Sequence, residues 1–133
     1  MSTPAIASEL TREAMMDFAR SWVAAWNRRD AGSVLQHFVD DAVFISPVAA
    51  HYAGSVEIRG RSQLSKYWHA ALKELSTLEF TLDHASWDPE RRELNVVYLS
   101  DLNGIRRRSC EIMTFNAEGC QIRGEAMFGA AMP

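Results

Sequence analysis

The chain has 133 residues and a formal net charge of −3, enough length for one domain with a single core and a charge that gives no general attraction to nucleic acid. Apolar residues make up 47% and charged residues 23%, the balance of a soluble globular protein, which argues against extensive disorder. Cys110 and Cys120 are the only cysteines, too few for a zinc site or a disulfide framework, so reduced thiols are expected.

The first ten residues, MSTPAIASEL, lack a basic region followed by a continuous apolar stretch, and no apolar run approaches bilayer length. A cytoplasmic protein is the expectation. Thr11 or Ser8 can cap a first helix in which Leu10, Ala14, Phe18, Trp22 and Trp26 recur every fourth position, with Glu13 and Asp17 near its positive end. Residues 27–30 break that pattern. Ser33 can cap a short second helix carrying Val34, Leu35 and Phe38, which Asp40 and Asp41 end before 42–46 extends. Pro47 takes the chain off any central ladder. Residues 51–60 read as a loop with a short extended piece at 56–58, and Leu64, Trp68, Ala71, Leu72 and Leu75 mark a third amphipathic helix. The period then changes. Segments 77–87, 92–101, 105–115 and 120–129 read as four strands, separated by Asp88-Pro89, Asn103-Gly104 and 116–119, the second a strong hairpin signal. Three helices followed by a long antiparallel meander describe one α+β domain over residues 1–133, with a curved sheet wrapping the helices.

Four segments, AWNRRD after the first helix, FVDDAVFISP, IRGRSQLSKYW and NAEGCQIRGEAMFG, come in an order and spacing that resembles nuclear transport factor 2-like domains, in the group that includes ketosteroid isomerase and the SnoaL-like polyketide cyclases. The resemblance runs from about Met15 to Gly129. It implies a cystatin-like architecture: a cone-shaped, mostly antiparallel sheet around three N-terminal helices, an apolar pocket open at one end, and a homodimer through the outer sheet face. Ketosteroid isomerase can be laid against residues 22–47 without a gap. Its tyrosine donor then falls on Trp22, its aspartate base on Ser46, and a second, protonated aspartate on Glu111. A serine cannot shuttle a proton between carbons unaided, and the Trp22 indole can donate a hydrogen bond but neither accept nor release a proton at working pH. Isomerisation by that machinery is therefore not expected.

Glu111 is the residue on which a site can be built. If it faces inward, strand alternation places Ser109 and Met113 beside it, and the resemblance points Val96, Tyr98 and Ser100 at the same cavity. Tyr98 can then donate to Glu111 or to a ligand. A carboxyl among tryptophan, methionine and tyrosine side chains loses hydration, so its pKa rises and it can remain a proton donor at neutral pH. The other reading is an acid at a strand edge, paired with one of Arg106, Arg107, Arg108 or Arg123. Core packing is the default for Trp22, Trp26 and Trp68 on their apolar helix faces, with Trp22, Trp68 and Phe128 as candidate lining residues. The resemblance puts His51 and Tyr52 on the pocket rim, whereas His37 and His69 fall on polar helix sides and His84 near a strand end.

No two histidines stand at helical ligand spacing, and no phosphate-binding glycine loop is present, so neither a metal nor another cofactor is expected. Val97, Leu99, Ile112, Thr114 and Met127 have the opposite strand parity to Tyr98 and Glu111 and would line the outer face. The functional expectation is a pocket that binds a small apolar molecule bearing a carbonyl or hydroxyl, with Glu111 and Tyr98 in acid/base isomerisation, cyclisation or dehydration. The alternative is a non-catalytic binder or a dimeric association module. Neither nucleic acid nor membrane is an expected partner.

Overall fold

A computed structural model describes residues 10–133; the alternative cap Ser8 lies outside the described residues. The elements run α1 (Arg12–Asn27), α2 (Ala31–Leu35), β1 (Phe38–Ile45), α3 (Ala49–Ala53), β2 (Glu57–Arg59), α4 (Arg61–Lys73), β3 (Leu78–Asp88), β4 (Glu93–Leu102), β5 (Ile105–Phe115) and β6 (Gln121–Ala131).

Thr11 caps α1, its hydroxyl oxygen accepting from the Ala14 amide at 3.1 Å. The buried stripe is built on Met15, Ala19, Trp22, Val23 and Trp26. The every-fourth set meets it at its C-terminal end: Trp22 and Trp26 are buried, Leu10 and Phe18 half-buried and Ala14 exposed. A step of four residues overshoots a helical turn by about 40°, so a set that is on the core at Trp26 is off it at Ala14, while alternating steps of four and three stay on it.

The polar residues that close α1 tie its neighbours together. Asn27 pairs with the backbone of Phe80 on β3, its Nδ2 donating to the carbonyl at 2.9 Å and its Oδ1 accepting from the amide at 2.7 Å. Arg29, at φ 60°, donates to the carbonyls of Leu72 and Leu75 at 3.2 and 2.8 Å, at the helix end where carbonyls lack intrahelical partners. Asp30, not Ser33, caps α2 by accepting from the Ser33 amide at 3.1 Å. Phe38 does not continue that helix. It opens β1, because its backbone is claimed by β6, where it pairs with Gln121. Asp40 and Asp41 fall at an irregularity in that ladder between Phe38 and Val43 and point to solvent. After Pro47 the expected loop is a short helix, α3, rich in alanine and closed by Gly54 at φ 76°.

The fold is α+β, with a curved, open six-stranded sheet in the order β2-β1-β6-β5-β4-β3. All neighbours are antiparallel except β1 and β6, which run parallel. The Asn103-Gly104 hairpin forms as its chemistry requires, both residues at positive φ (53° and 86°). Alternation sends one set of side chains inward, in rows across the sheet. One row joins Trp87, Leu94, Met113, Gly124 and Phe44; the next joins Ala85, Val96, Glu111 and Ala126; a third joins Leu82, Tyr98, Ser109 and Phe128. Helices α1 and α4 cover these rows.

Gly124 has no room for a side chain, since a Cβ there would lie 2.8 Å from the Phe44 ring. Phe44 is in turn held edge-on against Trp68, with ring centroids 5.2 Å apart. Gly124→Ala is expected to push Phe44 off its position and lower stability by about 1–3 kcal/mol, read as a lower midpoint in urea with an unchanged slope. An unaltered midpoint would show that this row repacks freely.

Candidate functional site

A cavity of about 130 Å³ lies between the inner sheet face and helices α1, α3 and α4. It exists because the row through Glu111 is narrow where the rows beside it are wide. Ala126, small and 6% exposed, pairs with Glu111, and the residue next along β1 from the Ile45–Glu125 pair is Ser46. The order across the floor is thus Ser46, Ala126, Glu111. Strand spacing puts the first and last backbones about 10 Å apart, with only a methyl group between them.

Aromatic rings form the walls. Trp22 of α1 stacks on Phe80 and meets Tyr98 edge-on, with centroids 5.6 and 5.2 Å apart. On the other side Trp68 of α4 packs edge-on against Trp26 at 5.0 Å, and Tyr67 reaches Tyr52 of α3 at 5.7 Å. The half-buried Leu72, Leu75 and Leu78 stand at the mouth with the exposed Val48.

Glu111 is 4% exposed and lines this cavity. It is not an edge acid held by an arginine. Arg107 donates to the Gly129 carbonyl, Arg108 pairs with Asp83 and Arg123 pairs with Glu125. Burial alone pushes the Glu111 carboxyl up to about 8, because no lysine, arginine or histidine lines the cavity to stabilise its anion. Desolvation, reinforced by the nearby Glu111 carboxyl, raises the hydroxyls of Tyr98 and Tyr67 above the usual phenol range. All three groups therefore carry protons at neutral pH. The expected hydrogen bond from Tyr98 to Glu111 is not formed: Tyr98 meets Trp22 and Phe80 instead.

Ser46 is 1% exposed. Its Oγ accepts from the Val48 amide at 3.2 Å and from the Tyr67 hydroxyl at 3.3 Å.

Of the residues singled out in the sequence, Glu111, Tyr98, Trp22, Ser46, Tyr52, Trp68 and Phe128 come together around this space. Val96 and Met113 do not line it. They are wholly buried beneath it, in the close-packed part of the inner face. Ser100 is buried too, but its hydroxyl is spent on the Arg107 carbonyl and on Ser109. His51 is exposed and does not line the cavity. Its ring lies edge-on to Tyr52 at 4.7 Å, and its Nε2 stands 3.8 Å from the Glu74 oxygen that accepts from the Tyr52 hydroxyl. Tyr67, Trp26, Phe44 and Phe80 line the cavity without having been singled out as site residues. Tyr67 was within reach of the helical period, three residues after Leu64 and four before Ala71. Among the described residues no three side chains of the metal-ligating types gather closely enough to hold an ion, and no helix is long and apolar enough to cross a membrane.

Known structures share this architecture. A SnoaL-like protein of unknown function from Burkholderia thailandensis is 24% identical, covering 91% of this chain and 98% of its own, with a TM-score of 0.79. A protein of unknown function with a cystatin-like fold from Methylobium petroleophilum is also 24% identical, covering 92% of this chain and 80% of its own, with a TM-score of 0.71. A protein described as a candidate ketosteroid isomerase from Kribbella flavida is 17% identical, covering 92% of this chain and 82% of its own, with a TM-score of 0.68. At these identities the likeness is one of fold, which other solved neighbours share under the name NTF2-like. No curated protein matches the sequence. The family model of the SnoaL-like domain matches residues 19–123, which takes in the second half of α1, Ser46 and Glu111 of the cavity floor and most of the sheet, and the chain belongs to that SnoaL-like family.

Proposed function

We propose that the cavity binds a small, uncharged, largely apolar molecule bearing a carbonyl or hydroxyl oxygen, and that the protonated carboxyl of Glu111 is the group that meets this oxygen. The observation that carries the reading is a buried acid facing an aromatic cavity with no cation beside it. A ligand carboxylate or phosphate would find no positive partner there, whereas a neutral oxygen would find a donor. Size narrows the class. A cavity of about 150 Å³ holds one benzene ring, so the enclosed part of the ligand is about one ring, and a larger molecule extends through the mouth.

A group whose pKa stands near neutrality is suited to passing a proton in either direction, which supports isomerisation, cyclisation or dehydration at Glu111, with Tyr98 as an additional donor. A non-catalytic binder is the second reading, favoured by the absence of a second base around the cavity, since Ser46, Tyr67 and Tyr98 all hold their protons. The two free thiols fit a reducing cytoplasm. Assembly belongs to the same reading. Val97, Leu99 and Ile112 are half-buried on the outer face and Met127 is 46% exposed beside them, which supports pairing of two copies through that face.

Cyclohexanone in excess is expected to raise the melting midpoint, because a ligand that prefers the folded state must stabilise it, whereas cyclohexanecarboxylate at the same concentration is expected to leave it unmoved. Equal stabilisation by both would remove the reading. Glu111 also sets a pH dependence. Its pKa is raised on folding, so the folded state binds the extra proton. Stability is then full below the unfolded-state pKa and falls by about 1.4 kcal/mol per pH unit until the folded pKa near 8 is passed. Glu111→Gln should lose this slope, and urea titrations at several pH values would show it; parallel wild-type and variant profiles would mean an unshifted carboxyl. Sedimentation at micromolar concentration should give a dimer, and Met127→Asp a monomer; a monomeric wild-type protein would remove the pairing.

A further inference from the structure

The Ser46–Tyr67 pair leaves one proton without a home. Each hydroxyl has one proton to give. A single hydrogen bond of 3.3 Å joins the two, with Tyr67 donating. The Val48 amide, at 3.2 Å, fills a second acceptor position of the same serine oxygen. The Ser46 backbone is also engaged, its amide with the Val56 carbonyl and its carbonyl with the Ala49 amide. Both lone pairs of Oγ are thus taken and its own proton finds no acceptor among the described residues. If the pair were turned round, so that Ser46 donated to Tyr67, the tyrosine proton would be left over instead. Two protons and one mutual bond always leave one.

A buried donor without a partner costs about 1–3 kcal/mol, and such groups in native proteins are matched by something. Ser46 is 1% exposed and Tyr67 7% exposed, and both line the cavity. The unmatched proton therefore belongs to the cavity. It stands at the far end of the floor from Glu111, across the methyl group of Ala126.

Resting on the proposed binding reading, we infer that Ser46, oriented by Val48 and Tyr67, is a directed hydrogen-bond donor that selects ligands carrying a second acceptor oxygen on the side of the ring opposite the one met by Glu111. The preferred occupant is a neutral ring compound with two oxygens placed across the ring from one another, such as a dione or a keto-ether, and not a monoketone. The cavity is donor-rich: Ser46, Tyr98 and protonated Glu111 all offer protons. A ligand rich in acceptors satisfies them. Tyr67 fills one acceptor position of the serine oxygen and does not itself have to meet the ligand.

The test compares cyclohexane-1,4-dione with cyclohexanone by ligand-observed NMR titration. The ratio of the two affinities is measured in wild type, Tyr67→Phe and the double variant Ser46→Ala with Tyr67→Phe. The difference in transfer from water between the two ketones is the same for every protein, so it cancels when ratios are compared. Removing the donor should lower the preference for the dione by up to about tenfold in the double variant, with cyclohexanone affinity kept. Tyr67→Phe should change the ratio little, since Ser46 still has its proton to give. A ratio unmoved in the double variant overturns the inference while leaving the Glu111 reading intact. Failure of both ketones to bind wild type overturns both. Should the double variant not fold, Ser46→Cys combined with Tyr67→Phe keeps the shape and weakens the donor, and it must lower the same ratio for the inference to stand.

Discussion

An ionised carboxylate taken out of water into an apolar interior without a counter-charge costs several kcal/mol. Glu111 avoids that cost by keeping its proton, up to about 8. This one exchange makes the cavity electrically neutral at ordinary pH, and much of the site follows from it. With the acid neutral, the aromatic walls can close around it without a lysine or arginine among them. With no cation present, an anion gains nothing there to offset its lost solvation. The same condition links the fold to pH, since whatever forces ionisation of Glu111 works against the packing that surrounds it.

A cavity is also a loss of contacts for the atoms that line it, so something other than collapse has to keep the helices off the sheet. The polar run at the end of α1 does this from outside. Asn27 fixes α1 to the β3 backbone at Phe80, and Arg29 fixes the end of α4 through Leu72 and Leu75. Tyr52 of α3 donates to Glu74, just past the end of α4, at 2.9 Å. These directed bonds lie at the mouth and the rim, and the small Ala126 lies at the floor. The space between them is a product of placement, with rigid clamps around a position where the sheet carries a methyl group instead of a ring.

The strands and their turns could be read from the chain because period two, the Asn103-Gly104 turn and the Asp88-Pro89 break are local signals, and the boundaries fall within two residues of the ladder. Parity along the strand set Glu111 with Ser109 and Met113, but parity alone left open whether that face met the cavity or the solvent edge, and it is the burial of Glu111 that decides for the cavity. The start of β1 was not. Phe38 looks like the last apolar residue of a short helix until β6, some eighty residues later, supplies its partner. On α1 the repeat of four keeps one helix face over the two turns that hold Trp22 and Trp26 and has drifted off it at Ala14. Tyr67 escaped because its hydroxyl matters only through Ser46, and no spacing in the sequence connects residues 46 and 67. The AWNRRD segment, useful as a mark of the fold, turns out to be clamp and cap. His51, on the short helix that forms after Pro47, stands exposed beside Tyr52 and does not reach the cavity lining.

The sequence resemblance to ketosteroid isomerase, which sets Ser46 and Trp22 against a base and a donor of that enzyme, looks at first like a loss of function. The environments of the two ends suggest an exchange instead. At position 46, where the isomerase keeps the group that takes a proton, this chain has a hydroxyl whose acceptor positions are filled, so it can only give a hydrogen bond. At position 111, where the isomerase keeps a protonated acid as a donor, this chain has a carboxyl whose pKa near 8 allows it to give a proton or take one. The polarity of the floor runs the other way. What separates the binding and catalytic readings is then whether the carbon above Ala126 carries an acidic proton within reach of Glu111, a property of the ligand as much as of the protein.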